Sequence, residues 1–415
     1  MESIIGIEVY LTKGDGIGGK IKERAEDFIV EELPEYPKPS KGKFVVAKVT
    51  SKNWETNRLI EYLARAIGIS TKAIGYAGIK DRRAVTTQLM SFAASFQKIE
   101  RAKIRDVKIE ILYKTNKPVS HGMLKGNRFK IWIKNVEKPE NFYGILKEIE
   151  SYGGFPNFFG IQRFGIARPI THIVGKYLLN NEIKEAVMAY IANPIKGEDE
   201  ECYNARKFLQ ETMDFEEALK IYPKKLNFER RIIKHLAENK DDWKNALLKL
   251  PSNLIRIFIH AYQSYLFNKI LSRRIKKGFP INEAIEGDIV VKDIQSENGT
   301  YVNNKNMEKV NREIKKGKCF PTAPVLGYNT MMARGEAGDI EHEIMEEEEV
   351  DISKFKMPYM PWLASAGMRR SIFVPLKRIA WRKEGNAIFL RFSLPRGCYA
   401  TSLLREFMKA DIYSY

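Results

Sequence analysis

The chain has 415 residues, of which 44% are hydrophobic and 11% aromatic. This composition excludes an intrinsically disordered protein, and the length predicts two domains with ample cores. Lys and Arg total 70 against 52 Asp and Glu, so the formal net charge is +18. This excess favours a polyanionic partner, RNA or DNA before a membrane, because no long apolar segment accompanies it. A basic surface that only faces solvent is the alternative interpretation.

Cysteine and histidine usage bears on compartment and metal binding. Cys202, Cys319 and Cys398 lie far apart, which predicts neither a disulfide framework nor a zinc site. The five histidines are equally scattered, so no bound metal is expected. The N-terminal residues lack a basic region followed by a sustained apolar one, and neither a signal peptide nor a transmembrane helix is expected. We therefore expect a cytoplasmic protein.

The first third of the chain predicts a strand-rich segment. Apolar residues spaced three and four apart predict a helix over 55–67, which begins near Asn53 and ends at Gly68. Short alternating runs predict strands at 8–11, 21–24, 28–32, 44–50, 74–79, 85–93, 107–112 and 127–134.

A glycine run near the N-terminus has the G-x-G-x-x-G spacing of dinucleotide-binding loops, through Gly14, Gly16 and Gly19. The charged, strand-like segment 20–24 follows it, whereas the dinucleotide fingerprint requires a helix at that point. The run therefore predicts a mobile turn.

The rest of the chain predicts a mostly helical middle part, followed by a strand-rich segment like the first. Helices are expected at 140–152, 183–191, 203–210, 215–221, 228–237 and 254–275, followed by short strands and turns over 279–340, a strand at 387–393 and a helix at about 399–408. Segments 1–155 and 371–415 both predict strand-rich α+β structure, so we expect 156–370 to be a mostly helical domain inserted between them. The acidic run 346–349 predicts a solvated helix surface that faces away from any bound RNA.

One stretch, 75–88, carries the main candidate for chemistry. Asp81 lies at the end of a short apolar run, with Lys80 before it and two arginines after it. Because neighbouring cations favour the ionised carboxylate, we expect Asp81 to be charged. Gly75 and Gly78 remove side-chain bulk just upstream, which leaves room for something flat to approach. A solvated turn between two strands is the alternative interpretation.

Residues 77–88 resemble the A-G-x-K-D-R-x-A-V-T-x-Q motif of the TruD family of RNA pseudouridine synthases. Three further blocks match that family in the same order, at 22–28, 157–165 and 395–401. The resemblance implies a pseudouridine synthase catalytic domain, whose mixed and largely antiparallel sheet is flanked by helices, in two parts at 1–155 and 371–415. It also implies that 156–370 is the insertion specific to the family.

The resemblance implies an isomerase that converts one uridine of tRNA to pseudouridine, with uridine 13 of the D-arm the commonest target. Asp81 would be the nucleophile, acting on a uridine taken out of its stack, and the reaction would need no cofactor. We expect tRNA as the partner and a monomeric enzyme. The resemblance further implies a substrate-binding set made of Lys22, Phe28, Lys80, Asn127, Phe129 and Tyr399.

Each member of that set has an expected role. Phe129 would stack on the base and Asn127 would contact its polar edge, whereas either Lys22 or Lys80 would hold Asp81 ionised. Phe28 and Tyr399 would form pocket walls. By strand alternation alone, Phe129 belongs to the core.

The sequence leaves two other functions as alternatives. A non-catalytic RNA-binding or RNA-folding protein would use the same basic surface without needing Asp81. A glycoside-type hydrolase or nucleosidase also attacks C1′, but such enzymes usually employ two carboxylates and the key stretch offers one. Cys398 departs from the family pattern, which more often has serine there, and it leaves the contacts of that loop open.

Overall fold

The computed structural model describes residues 2–35, 37–195 and 197–415. These residues form two compact units. The sheet unit comprises Thr12–Phe155 and Val374–Tyr415. The helical unit comprises Pro156–Phe373 together with the segment up to Leu11.

Strands and helices alternate along the chain. The strands are β1 (Phe28–Pro34), β2 (Phe44–Lys52), β3 (Ile74–Tyr76), β4 (Val85–Phe92), β5 (Val107–Thr115), β6 (Leu124–Ile133), β7 (Gly154–Pro156), β8 (Ile289–Val291), β9 (Gln295–Ser296), β10 (Thr300–Tyr301), β11 (Phe320–Val325), β12 (Met368–Ser371), β13 (Phe373–Pro375), β14 (Ala380–Glu384) and β15 (Ala387–Pro395).

The helices are α1 (Thr56–Ile67), α2 (Phe96–Arg101), α3 (Asn141–Tyr152), α4 (Thr171–Leu179), α5 (Ile183–Ala192), α6 (Glu200–Thr212), α7 (Phe215–Ile221), α8 (Asn227–Glu238), α9 (Trp243–Leu247), α10 (Ser252–Lys276), α11 (Met307–Lys315), α12 (Gly335–Glu347) and α13 (Ala400–Met408). Among the described residues, none of these helices is both long and apolar enough to cross a membrane.

The main sheet of the sheet unit confirms the predicted α+β class. Its strands follow the order β14-β15-β6-β1-β4-β2-β5, and β3 pairs with β4 outside that path. The β1–β4 pair is parallel and the other pairs are antiparallel, so the sheet is mixed and largely antiparallel, as expected. The central strands β6 and β1 therefore bring residues from distant parts of the chain side by side.

Helices cover two separate areas of one face of this sheet. Apolar residues of α1, among them Leu59 and Leu63, pack in one core with Val45 of β2 and Met90 of β4. At the other end of the sheet, the ring of Phe142 in α3 lies 4.8 Å from that of Trp381 and 4.9 Å from that of Phe407. Strands β6 and β1 lie between these two areas.

Helix α1 begins at a different cap from the one predicted. The carboxylate of Glu55 accepts hydrogen bonds from the backbone N–H groups of Asn57 and Arg58, so Glu55 and not Asn53 is the N-cap. Gly68 ends the helix with a φ of 73°, as the sequence predicted.

Two predicted strands are wrong. The segment 8–11 forms no strand because the N–H of Glu8 donates to Ser272 of α10, 3.1 Å away. The segment 21–24 forms none either, because the N–H of Ile21 donates to Ser414. In both cases a tertiary contact takes the backbone group that a neighbouring strand would need.

The glycine run is held in place, contrary to the predicted mobile turn. The N–H groups of Ile17 and Gly18 donate to the carbonyls of Phe407 and Met408 at the end of α13. A Cβ on Gly16 would lie 2.2 Å from the Met408 carbonyl oxygen. The glycine therefore allows two backbones to approach closely, which is a packing role.

The acidic run 346–349 is not simply a solvated surface. Lys269 of α10 pairs with Glu347 at 2.5 Å and with Glu348 at 2.7 Å, and Lys176 pairs with Glu348 at 3.1 Å. The Glu348 side chain is only 11% exposed. Within the helical unit, these carboxylates compensate cations of neighbouring helices.

Candidate active site

The turn that carries Asp81 connects β3 to β4 and is anchored at both ends. The N–H of Lys80 donates to the hydroxyl of Thr56, the first residue of α1, at 2.9 Å. The carbonyl of Ala84, next to β4, accepts from the N–H of Asn53 at 3.0 Å. The Asp81 side chain is 41% exposed, so a fixed backbone presents its carboxylate to solvent.

The two glycines before Asp81 differ in what they do. A Cβ on Gly75 would lie 2.2 Å from the carbonyl oxygen of Val119, so this glycine lets two chain segments pack. A Cβ on Gly78 would have nothing within 4 Å. The predicted open space is therefore present at Gly78 and absent at Gly75.

Lys22 is the cation that faces Asp81. Its Nζ lies 3.6 Å from Asp81 Oδ1, and its side chain is 11% exposed. The same ammonium lies 4.3 Å from the centroid of the Phe28 ring, a cation–π distance. Lys22 also has a φ of 59°, which is rare for a residue with a side chain and is found at sites that the surrounding structure holds in place.

Lys80 takes a different role from the one predicted. Its Nζ pairs with Glu32 Oε2 at 2.7 Å and donates to Asn127 Oδ1 at 3.0 Å. The side chains of Lys80 and Glu32 are 5% and 1% exposed. A buried carboxylate and a buried ammonium each require such a partner, so Lys80 is oriented toward the sheet and not toward substrate. Of the two lysines considered for Asp81, the geometry selects Lys22.

Asn127 is oriented by Lys80. An ammonium group only donates, so the amide of Asn127 must turn its oxygen toward Lys80. Asn127 lies on β6 opposite Glu32 of β1 and Leu394 of β15. Its Nδ2 group thereby points away from the ion pair and provides an N–H donor.

Phe129 belongs to a row of three aromatic rings. Its ring lies 6.1 Å from that of Phe28 in an edge arrangement and 5.4 Å from that of Phe392 in a stacked one. Phe129 is 5% exposed, Phe28 1% and Phe392 3%. The ring face toward Phe392 is occupied, so Phe129 forms the floor of the site and is also core, as strand alternation predicted.

Tyr399 lies at the same end of the sheet. Strand β15 ends at Pro395, which pairs with Gly126 next to Asn127. A turn with Gly397 at a φ of 77° then leads to Tyr399, the half-buried N-cap of α13. Cys398 is buried in this turn, and its N–H donates to the Pro395 carbonyl.

Glu32 is the site residue that sequence reasoning missed. It follows Phe28 and Val30 on the same face of β1, where a third apolar residue would fit the alternation. A charged residue at an inward position was the available signal, because such a group is buried only with a partner.

Asn157, the first residue of the block 157–165, has a structural role in the helical unit. Asn157 is fully buried, its Nδ2 donates to the Ser371 carbonyl and its Oδ1 accepts from Arg370, both at 2.8 Å. Across residues 2–35, 37–195 and 197–415, no group of three His, Cys, Asp or Glu side chains is arranged as a metal site would require.

Comparisons with known proteins agree over the whole chain. The family model "tRNA pseudouridine synthase D (TruD)" matches residues 4–407. A Methanosarcina mazei protein assigned as a probable tRNA pseudouridine synthase D is 41% identical over 428 residues, covering 99% of this chain and 98% of the relative. A Pyrococcus abyssi protein with the same assignment is 42% identical over 406 residues, covering 96% and 98%. A crystal structure of a Methanosarcina mazei protein assigned to TruD is 39% identical with a TM-score of 0.86, covering 100% of this chain and 98% of that one.

Proposed function

Because the chain belongs to the TruD family of tRNA pseudouridine synthases, we propose that it isomerises a specific uridine of tRNA, uridine 13 of the D-arm, with Asp81 as the nucleophile. The observation that carries this proposal is the Asp81 carboxylate, exposed on an anchored turn with Lys22 at 3.6 Å. We further propose that the sheet unit is the catalytic domain and the helical unit the inserted domain.

The chemistry requires one bond to break and another to form at the same sugar carbon. The carboxylate of Asp81 attacks, the bond between N1 and C1′ breaks, and its electron pair stays with the uracil ring. After the ring turns, C5 bonds to C1′ and the carboxylate is released. The proton on C5 then leaves to a base, a role that Asp81 itself can fill, and N1 takes up a proton, so the product is an isomer of the substrate.

Lys22 supports the nucleophile electrostatically. Its ammonium lies 3.6 Å from Asp81 Oδ1, and the ring of Phe28 beneath it restricts where the ammonium can lie. The left-handed backbone at Lys22 directs the side chain to this position. Such preorganisation spares the enzyme the cost of arranging the charge during the reaction.

Asn127 and the aromatic rings provide the base pocket. A flipped uracil presents carbonyl oxygens, and the Nδ2 group of Asn127 is a donor of fixed direction for one of them. Phe28 and Phe129 provide an apolar floor, and Tyr399 provides a wall at the end of β15. Lys80 acts through Asn127 and is therefore a positioning residue.

The remaining expectations concern cofactors, the partner, the oligomeric state and the compartment. The reaction moves a base within one nucleotide, so it needs neither a redox cofactor nor a group donor. The net charge of +18 supports tRNA as the partner, held chiefly through its phosphates. We expect a monomer that acts in the cytoplasm.

The test compares Asp81→Asn and Asp81→Ala with a matched control. Glu110 is also a carboxylate of the sheet unit, 44% exposed and 3.7 Å from Lys48, so Glu110→Gln changes a similar pair away from the site. Each protein is incubated with an unmodified tRNA transcript, and pseudouridine is mapped at single-nucleotide resolution. We expect product at uridine 13 from wild type and Glu110→Gln, and none from either Asp81 variant.

Binding separates the alternatives. The Asp81 variants should bind the transcript within about tenfold of wild type, because phosphate contacts supply most of the affinity. Turnover by an Asp81 variant would remove Asp81 from the mechanism. Release of free uracil by wild type would indicate a nucleosidase, and tight binding without pseudouridine would favour an RNA-binding protein.

A further inference from the structure

Strand β6 presents different chemistry to the two faces of the sheet. Asn127 and Phe129 face the candidate active site, whereas Arg128 and Lys130, which alternate with them, face the other side. We call that side the rear face, defined by Arg128 and its cross-strand neighbours Glu31 and Ser393. Helices α1, α3 and α13 pack on the opposite face, as described above.

A groove of about 690 Å³ lies on the rear face, at β15, β6 and the segment that leads into β14. Five cationic side chains line it: Lys125, Arg128, Lys377, Arg378 and Arg391. No acidic residue is found among the described residues that line it. We propose that this rear groove binds the sugar-phosphate backbone of the tRNA substrate, outside the pocket for the target uridine; this proposal rests on the proposed function.

The charge of the groove is largely uncompensated. Within the described part of the chain, Lys125, Lys377, Arg378 and Arg391 are all exposed and have no ion pair. Arg128 lies 3.6 Å from Glu31, whose closer partner is Lys130 at 2.5 Å. Lys130 lowers the pKa of Glu31, so that carboxylate stays ionised and offsets only part of the local charge. Like charges held together repel one another, and a polyanion relieves that repulsion.

The cations also have the chemistry of phosphate recognition. Three of the five are arginines, whose planar guanidinium groups can donate two parallel hydrogen bonds to one phosphate. The hydroxyl of Ser393 and the apolar side chain of Leu33 complete the floor. This mixture suits a sugar-phosphate backbone, which alternates charged and uncharged groups.

The groove and the candidate active site share one end of the sheet. The Asn127 and Leu394 pair faces the site, and the next pair, Arg128 and Ser393, faces the groove. Asn127 and Arg128 are neighbours in the chain, so the site and the groove begin on opposite faces of the sheet at the same point of β6. A strand of RNA that passes the end of β6 can therefore contact both.

The test neutralises the three groove cations that lie outside β6. The groove variant is Lys377→Gln, Arg378→Gln, Arg391→Gln. The control variant is Lys98→Gln, Arg101→Gln, Lys103→Gln, which removes three exposed cations in and after α2, a helix that packs against β5 at the far edge of the sheet. Both variants lose the same charge, and thermal unfolding checks that both fold.

Binding of an unmodified, full-length tRNA transcript is measured over a range of salt concentrations. In the groove variant we expect the Kd to rise about tenfold or more near physiological salt. The slope of log Kd against log salt should fall by about 2 to 3, since each lost phosphate contact removes about 0.7 to 0.9. The control variant should retain the wild-type Kd and slope. With saturating tRNA, the groove variant should keep its kcat and show a raised KM.

The outcomes separate this proposal from the proposed function. Equal Kd and slope in the groove and control variants would overturn the groove, even if pseudouridine forms. Weaker binding by the groove variant alone would support it, even if wild type makes no pseudouridine and the proposed function fails. Loss of binding to anionic phospholipid vesicles with unchanged tRNA binding would assign the groove to a membrane surface and would also overturn the proposal.

Discussion

The two units use charged side chains in different ways. In the helical unit, several buried arginines are paired with carboxylates, as in Arg369 with Glu341 at 2.8 Å and Arg274 with Asp288 at 2.7 Å. In the sheet unit, Lys80 forms a buried pair with Glu32, and Asp81 is the next residue after Lys80 in the chain. The carboxylate of Asp81 is exposed, and its partner Lys22 lies 3.6 Å away. Closed pairs fix one conformation, whereas the open pair leaves a carboxylate available for chemistry. Substitutions should therefore affect stability in the first case and activity in the second.

The largest stability effect is expected from Glu341→Gln. Glu341 is 2% exposed, and its neutralisation leaves the fully buried guanidinium of Arg369 without a counter-charge. We expect the free energy of unfolding to fall by about 3 to 5 kcal/mol. Urea denaturation measures this loss, and hydrogen exchange should localise it to α12 and β12.

Glu343→Gln is the matched control, with the same substitution two residues away on α12. Glu343 is 37% exposed and pairs with Arg273 at 3.1 Å, so we expect a loss below about 1 kcal/mol. If both variants lost the same stability, burial would not be what distinguishes these pairs.

Lys80→Met tests whether the buried pair of the sheet unit also serves the site. The change leaves Glu32 buried without its cation, and we expect a loss of about 3 kcal/mol. The double change Lys80→Met, Glu32→Gln should recover most of that stability. Neither protein can orient Asn127 through Lys80, so both should lose about 10- to 100-fold in kcat/KM.

The control for this prediction is Lys48→Met, which removes a lysine that is half exposed beside Glu110. It should change neither quantity appreciably. A double variant with full activity would show that Asn127 needs no orientation by Lys80.

His172 makes the stability of the helical unit depend on pH. Burial lowers the pKa of His172 to about 4, and its ring stacks on Tyr265 at 4.9 Å. The unfolded chain takes up this proton near pH 6.5, while the folded chain does so only near pH 4. Stability should therefore fall by about 3 kcal/mol as the pH falls between these values, and His172 should add nothing further below pH 4.

His172→Phe keeps an aromatic ring and removes the titrating group. The difference in unfolding free energy between wild type and variant should change between pH 6.5 and 4 and be constant between pH 7 and 8. Unfolding by urea at each pH measures it. A difference that stays constant over the acid range would show that His172 takes up no proton on unfolding.

Local sequence patterns predicted the sheet, and the motif match named Lys22 and Asp81, whose charged groups lie 3.6 Å apart. Strand alternation placed Phe129 correctly in the core, and the spacing around Asp81 identified the exposed turn. The partner of Lys80 was not predictable, because Lys80 and Asn127 are 47 positions apart and no local pattern encodes which buried group an ammonium will meet. The predicted strands at 8–11 and 21–24 failed for the same reason, since distant residues take their backbone groups.

Helices α11 and α12 show a different limit. Breakers such as Gly299 and Gly327 dominate the segment 279–340 and favoured an interpretation of turns. Both helices nevertheless form, and α12 is positioned by tertiary contacts that include Glu341 with Arg369. Contacts between residues that are far apart in the sequence favour the helix here, and sequence periodicity does not reveal such contacts.

For Lys22→Met we expect the smallest change in the free energy of unfolding but a large fall in kcat. The Asp81 partner is 41% exposed, so loss of this pair should cost less than about 1 kcal/mol of unfolding free energy. Lysine and methionine both have to adopt the left-handed backbone conformation at this position, where φ is 59°. The comparison of wild type with Lys22→Met therefore isolates the effect of the charge. We expect kcat to fall about 100-fold, because the ammonium no longer holds the reacting carboxylate in position. Lys22→Arg should restore part of kcat with little change in KM, and single-turnover kinetics with the tRNA transcript would measure both. If Lys22→Met instead lost stability and kept its kcat, the Lys22 and Asp81 pair would belong with the closed pairs of the helical unit, and the contrast between the units would fail.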